Sequence, residues 1–265
     1  MPPGFPPIRI LFLAANPVTT DALKLTQEVR QIEEQLRASK YRDTIEFTSR
    51  WAVRPEDLQR ALLDVEPHIV HFSGHGSEDE GIYLESPEGI SAVVDQEALV
   101  ELLGILKDNI RLVVLNACHT RSLAEAIAIH IDCAIGMRTD VGDQAAIEFS
   151  AAFYRAIGSG RSVKVAFDLG RSALKLKKIP EDRTPELYRR SGVDPGEVTF
   201  LRPPWARGTT NCPCPRAASR RTPVWPPRRT PGRSGSSEAP RHRTLCRRWI
   251  RGDRAPRASR ASRAT

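Results

Sequence analysis

Along residues 8–203, short continuous apolar runs alternate with stretches in which apolar side chains recur every three or four positions. An unbroken apolar run marks a strand buried on both faces, and the longer period marks an amphipathic helix. Residues 8–15 (IRILFLAA) therefore predict a first, buried strand. A helix follows from about Asp21, a good N-cap residue type, with Leu25, Val29, Ile32 and Leu36 along one face. Residues 44–51 carry Ile45, Phe47, Ser49 and Trp51 at strand period, and Pro55 suits the first turn of a short helix bearing Leu58 and Leu62. Residues 69–73, 112–116 and 133–137 predict three more strands. A small hairpin (residues 81–85 and 90–94) and a helix near 96–103 fall between the first two of these. Helices at 120–130, 143–156 and 162–175 follow, and residues 198–201 predict a last edge strand. Strands alternating with helices imply an α/β domain around a mainly parallel sheet.

Charge changes the picture of the remaining chain. The net +8 of the whole conceals a tail, residues 204–265, with 16 Arg, no Lys and only Glu238 and Asp253 as acids, a net of +14. Residues 1–203 carry −6, so the basic total gives no reason to assign nucleic-acid binding to the domain. The tail has 9 Pro and, among Val, Ile, Leu, Met and Phe, only Val224, Leu245 and Ile250. It lacks the apolar surface to offset its ordering entropy and is expected to be disordered. Lysine-free Arg/Pro/Ala/Ser composition is also what GC-rich DNA yields out of frame, so the tail reads as a candidate out-of-frame product. Nucleic-acid contact is expected from this tail alone.

No apolar run approaches the ~20 residues that span a bilayer, so no membrane association is expected. Residues 10–15 are too short for a signal-peptide core. The domain holds only Cys118 and Cys133, which is no disulfide framework and fits a reducing cytoplasm. No repeat is visible at a fixed period.

Sites in open α/β sheets form beyond the carboxyl ends of strands. Here IVHFS (69–73) runs into Gly74-His75-Gly76, and LVVLN (112–116) runs into Ala117-Cys118-His119. His75 and Cys118 stand at matching offsets, so on neighbouring strands, ~4.8 Å apart, imidazole and thiol would meet. That is a nucleophile–base arrangement. The following helix is expected to favour the thiolate through its N-terminal dipole. A lone His after a strand is ordinarily structural and a lone Cys ordinarily a small core residue; the pairing at matched ends is what carries the signal. His71 is expected to be structural, Cys133 to lie in the core, and His119 to point away from Cys118.

The block HFSGHG, then LNAC some forty residues on, resembles the CHAT family of caspase-like cysteine peptidases. LAANP at the end of the first strand and the Ile-Gly-Met strand with Asp143 and Ala145 after it add to the likeness. The resemblance implies a caspase-like three-layer sandwich, His75 as general base, Cys118 as nucleophile, and an oxyanion hole from the backbone N–H groups of Gly76 and Cys118. It also implies a peptide bond in a partner protein as substrate, in bacterial defence or regulated cell death, with no cofactor. The domain starts near residue 8 and no sensor module follows, so sensing is expected from a separate activator protein or from a region lost at the tail. In such peptidases the position two before the nucleophile lines the pocket for the residue preceding the cut; here it is the neutral Asn116. Asp140, Asp143 and Asn16 are expected to complete that rim, which disfavours an acidic side chain and accepts a basic or neutral one. Asp140 and Asp143 could equally cap the next helix.

Other motifs are weaker. Neither Gly136-x5-Gly142 nor Gly158-Ser-Gly-Arg-Ser162 has the Lys of a phosphate loop, and Asn16-Pro17-Val18 stands where a dinucleotide fingerprint needs glycines. Cys212, Cys214, His242 and Cys246 offer zinc ligands with poor spacing and nothing to pack around them, so no metal site is expected. A catalytically silent scaffold of the same fold is the alternative reading, and a nucleotide-binding signalling domain a more distant one.

Overall fold

The computed structural model describes residues 7–77 and 81–201. In chain order the elements are β1 (Ile8–Ala14), α1 (Leu25–Arg37), β2 (Ile45–Arg50), α2 (Pro55–Val65), β3 (Ile69–Ser73), β4 (Ile82–Glu85), β5 (Ser91–Val94) and α3 (Gln96–Ile105). Then come β6 (Leu112–Asn116), α4 (Arg121–Ile127), β7 (Cys133–Met137), α5 (Asp143–Gly158), α6 (Val163–Leu176) and β8 (Pro185–Arg189). Six strands form one sheet in the order β2-β1-β3-β6-β7-β8, parallel except for the antiparallel β8 at one edge. β4 and β5 make a separate hairpin.

Strand alternation divides the core into two layers. Ile10, Phe12 and Ala14 of β1 pack with the apolar stripes of α1, α5 and α6. Leu11 and Leu13 pack on the opposite face with α2, α3 and α4. The chain thus forms a three-layer α/β sandwich whose inner strands are buried on both faces, as their unbroken apolar runs require. β1 pairs with β2 on one side and β3 on the other, so the chain order reverses there, and loops past that switch point are where α/β sheets place sites.

Three expectations need correction. The last edge strand is β8, Pro185–Arg189, and not residues 198–201. Val198 and Leu201 instead plug the core beneath α6, with the Val163 N–H donating to the Val198 carbonyl. α1 begins at Leu25 after a Lys24 cap, leaving Asp21 in a loop. α4 starts at Arg121 and has only seven residues, too late and too short to present its N-terminus directly to Cys118. Residues 202–265, including the expected disordered tail and the four weak zinc ligands, lie outside the described residues. No helix among the described residues is long and apolar enough to cross a membrane.

A charged side chain lies inside this core. Glu28 sits on the buried stripe of α1 with 2% of its surface exposed. Its carboxylate accepts hydrogen bonds from Ser73 Oγ at 2.6 Å, Asn116 Nδ2 at 2.7 Å and Ser150 Oγ at 2.7 Å. His71 Nε2 lies 3.2 Å away, while its Nδ1 meets the Tyr154 hydroxyl at 3.0 Å and its ring stacks on Phe12. One carboxylate therefore joins α1, β3, β6 and α5. Burial pushes the Glu28 pKa up, but His71, Ser73 and Ser150 outweigh it and hold the group below its ordinary value.

Two consequences can be measured. Glu28→Ala leaves several buried donors without an acceptor and should lower the unfolding free energy by about 3–5 kcal/mol. A loss below 1 kcal/mol in urea denaturation would contradict the network's importance. Because the folded pKa is depressed, the stability it provides is present above the unfolded value near 4.5 and is lost as pH falls through the folded pKa. Glu28→Ala should therefore flatten the acid limb of the stability curve.

Candidate active site

β3 and β6 are adjacent and parallel, with Ser73 opposite Asn116. The loops that follow them therefore leave the sheet side by side, carrying His75 and Cys118. The fit between them is backbone against backbone. A Cβ on Gly76 would lie 1.8 Å from the Cys118 carbonyl oxygen, and one on Gly74 would lie 2.7 Å from that of Ala15. Only glycine permits these approaches.

His75 is oriented by the main chain. Its Nε2 lies 2.8 Å from the Asp21 carbonyl, which can only accept, so Nε2 carries the proton. Nδ1 is then the basic nitrogen. The loop that supplies the carbonyl is pinned on both sides. Asn16 Oδ1 accepts from the Leu23 N–H, its own N–H donates to Glu85, and Asp143 Oδ1 accepts from the Lys24 N–H at 3.1 Å. A backbone carbonyl has no sequence signature, which is why this partner of His75 was not anticipated.

Cys118 is half-buried, and its Sγ accepts a 3.4 Å hydrogen bond from the Val141 N–H. The thiol and His75 are not hydrogen-bonded to one another; each is engaged by a loop of its own. Burial pushes the Cys118 pKa up and the neighbouring Asp140 pushes it further, while the Val141 N–H acts the other way. This reverses the expected stabilisation of the thiolate: the α4 dipole is displaced and an acid stands closer. His119, next in the chain, has φ +57°, a strained left-handed conformation for a residue with a Cβ. Its Nε2 pairs with Asp140 Oδ1 at 3.0 Å, which ties His119 to the acid beside the thiol. Thr120 holds the loop from below: its hydroxyl donates to the Ala117 carbonyl and accepts from the Met137 N–H. Thr120 is fully buried, and sequence reasoning missed it because a Thr there reads as an ordinary cap.

The residues expected on the pocket rim separate. Asn16 and Asp143 hold the β1–α1 loop that reaches His75, and Asp140 stands beside Cys118. Asp143 binds the β1–α1 loop, Asp140 binds His119, and neither caps α5, whose cap is Gly142. Asn116 is turned inward instead: 3% exposed, it gives its amide to Glu28 and Ser150, and its Oδ1 has no partner. As the last residue of β6 it faces α1 and α5. His71 is structural and Cys133 lies in the core, as the pattern implied.

Residues 11–225 match the CHAT domain family. The chain belongs to that family. This CHAT domain is 27% identical over 184 residues to a Roc-COR-CHAT protease of an unknown prokaryotic organism, covering 66% of this chain and 17% of that one. It is 22% identical over 153 residues to a probable protease of Gillisia limnaea, covering 57% and 27%. The chain thus spans well under a third of the length of either relative. Among solved structures it resembles a secreted C11 cysteine protease from Bacteroides thetaiotaomicron, with TM-score 0.51 at 10% identity over 69% of this chain and 66% of that one. It also resembles the Arg-specific cysteine proteinase gingipain R, with TM-score 0.52 at 13% identity over 72% and 47%. The fold of the CHAT domain is accordingly the caspase-like α/β sandwich.

The surroundings of Cys118 predict sluggish alkylation. The rate of its reaction with iodoacetamide should rise with pH to a midpoint above the ordinary thiol value of about 8.5, and Asp140→Asn should move that midpoint down. A wild-type midpoint at or below the ordinary value would contradict this reading of the site.

Proposed function

We propose that this CHAT domain is a cysteine endopeptidase acting through His75 and Cys118 on a partner protein. The observation that carries the reading is the pairing of β3 with β6, which brings the two loops together while the Asp21 carbonyl fixes the His75 tautomer. In the reaction, Nδ1 of His75 takes the thiol proton and Sγ attacks the scissile carbonyl carbon. The oxyanion is met by the N–H groups of Gly76 and Cys118, whose backbones are already in contact. The imidazolium then gives its proton to the leaving amine, and a thioester forms. A water activated by His75 hydrolyses the thioester and restores the thiol. No cofactor enters these steps.

The unactivated thiol means that the dyad must be assembled. Substrate or an activator protein has to displace Sγ from Val141 and bring it to Nδ1. The much greater length of the curated relatives leaves room in them for such a component within the same polypeptide. A role in bacterial defence or regulated cell death, in a reducing cytoplasm, remains part of the proposal by resemblance alone. For the residue before the cut, Asp140 stands beside Cys118, Asp143 holds the β1–α1 loop that reaches His75, and the charged Glu28 lies beneath Asn116. Such surroundings favour a basic or neutral side chain over an acidic one. The disengaged thiol also suits the second reading, a catalytically silent scaffold, and turnover separates the two.

Cys118→Ala and His75→Ala should each lower kcat/KM on a cleaved peptide by ~10³-fold or more, and the double variant should lose little beyond either single one. Substantial cleavage by Cys118→Ala refutes the assignment. In a positional-scanning library, Arg, Lys or neutral residues should precede the cut, and a strong preference for Asp contradicts the pocket reading. If basic residues win, Asp143→Asn and Asp140→Asn should show which acid selects them.

A further inference from the structure

The sheet is open at β8. Among the described residues no strand pairs with its outer edge. Arg138 N–H donates to the Thr184 carbonyl and Arg190 N–H to that of Asp132, which sets the alternation along the strand. Residues 184, 186, 188 and 190 bond inward to β7, so Leu187 and Arg189 aim their N–H and C=O groups outward. Pro185 contributes an outward carbonyl and no donor. Exposed edges of this kind are templates for a further strand.

Beside that edge lies a cleft of about 810 Å³ between β8 and α6. α6 does not cover the edge because it packs on α5, with Phe167 against the ring of Phe149. The cleft is lined by more cations than acids. Its acids are already engaged: Asp168 by Lys164, Glu186 by Arg121 and the Tyr188 hydroxyl, Asp194 by the Gly196 N–H. Three guanidiniums have no carboxylate partner among the described residues. Arg171 donates to the Asp182 carbonyl and lies over Phe167, Arg189 donates to the Val193 carbonyl, and Arg183 is exposed.

We propose that this cleft docks an extended, acidic segment of a partner protein, which adds to β8 as a further strand. Main-chain bonds to Leu187 and Arg189 would hold it, and carboxylates on alternate residues would meet Arg171, Arg183 and Arg189. The chain's own residues 204–265 carry +14 and have the wrong charge for the cleft. A second copy brought edge to edge sets the same guanidiniums opposite one another, which is unfavourable. β7 lies between β6 and β8 in the sheet order, so the docked strand would not contact the His75 and Cys118 loops.

The test uses the full chain and a peptide of about ten residues alternating Glu with Val, bearing a benzophenone photocrosslinker, beside its Lys counterpart. The Glu peptide should crosslink within residues 164–195, and hydrogen exchange at Leu187 and Arg189 should slow when it binds. Arg183→Glu/Arg189→Glu, with unchanged melting and unchanged alkylation of Cys118, should reduce these crosslinks by about fivefold or more. The proposal is overturned by crosslinks confined to residues 202–265, by equal crosslinking in the double variant, by equal capture of the Lys peptide, or by a dimer that protects β8 and excludes the peptide.

Discussion

A single buried carboxylate ties the functional end of this fold together. Glu28 reaches from α1 to the last residues of β3 and β6, and to Ser150 of α5, and those last residues lie two positions before His75 and Cys118. Burying a charge costs several kcal/mol unless donors surround it, and three hydrogen bonds plus the adjacent His71 supply that surrounding. An apolar residue at position 28 would fill the space but leave Ser73, Asn116 and Ser150 without their acceptor. The ends of β3 and β6 would then be held by main-chain pairing alone. The constraint therefore extends from packing to chemistry: the separation of the two loops is set by groups that never contact substrate.

The surroundings of Cys118 disfavour its thiolate. Burial is the largest cause, and Asp140 beside the thiol adds to it. The Val141 N–H is the compensating donor, and it holds Sγ toward the β7–α5 loop instead of His75. His75 is oriented by the Asp21 carbonyl, so on the proposed mechanism the base is in place and the nucleophile is not. Activation in this account is a local displacement of one thiol, with the sheet and the histidine unchanged.

Much of this was legible in sequence because it depends on strand ends. Two short, mostly apolar strands, each ending two residues before His75 or Cys118, state their own geometry once they are neighbours. What escaped did so for physical reasons. Glu28 lies on the same stripe as Leu25, Val29, Ile32 and Leu36, but a charged residue between apolar ones reads as the solvated flank of a helix. Asn116 at the end of a strand reads as a rim residue, and only the partner reaching it from α1 turns it inward. Asp21 acts through its carbonyl, which every residue possesses. β8 reads as a loop, since Pro185-Glu-Leu-Tyr-Arg189 has neither an apolar run nor clean alternation; at a sheet edge few of its side chains need burying.

The most direct measurement is intact-mass labelling of the full chain with a peptidyl electrophile carrying Arg next to its reactive carbonyl. A peptide-directed warhead reacts only where a nucleophile, a base and a substrate groove coincide, whereas a small alkylating agent needs no more than an accessible thiol. The account predicts one covalent adduct on Cys118, formed slowly and lost when His75 is replaced by Ala. No adduct at Cys118 under conditions where iodoacetamide modifies it, or an adduct formed equally fast without His75, would contradict it.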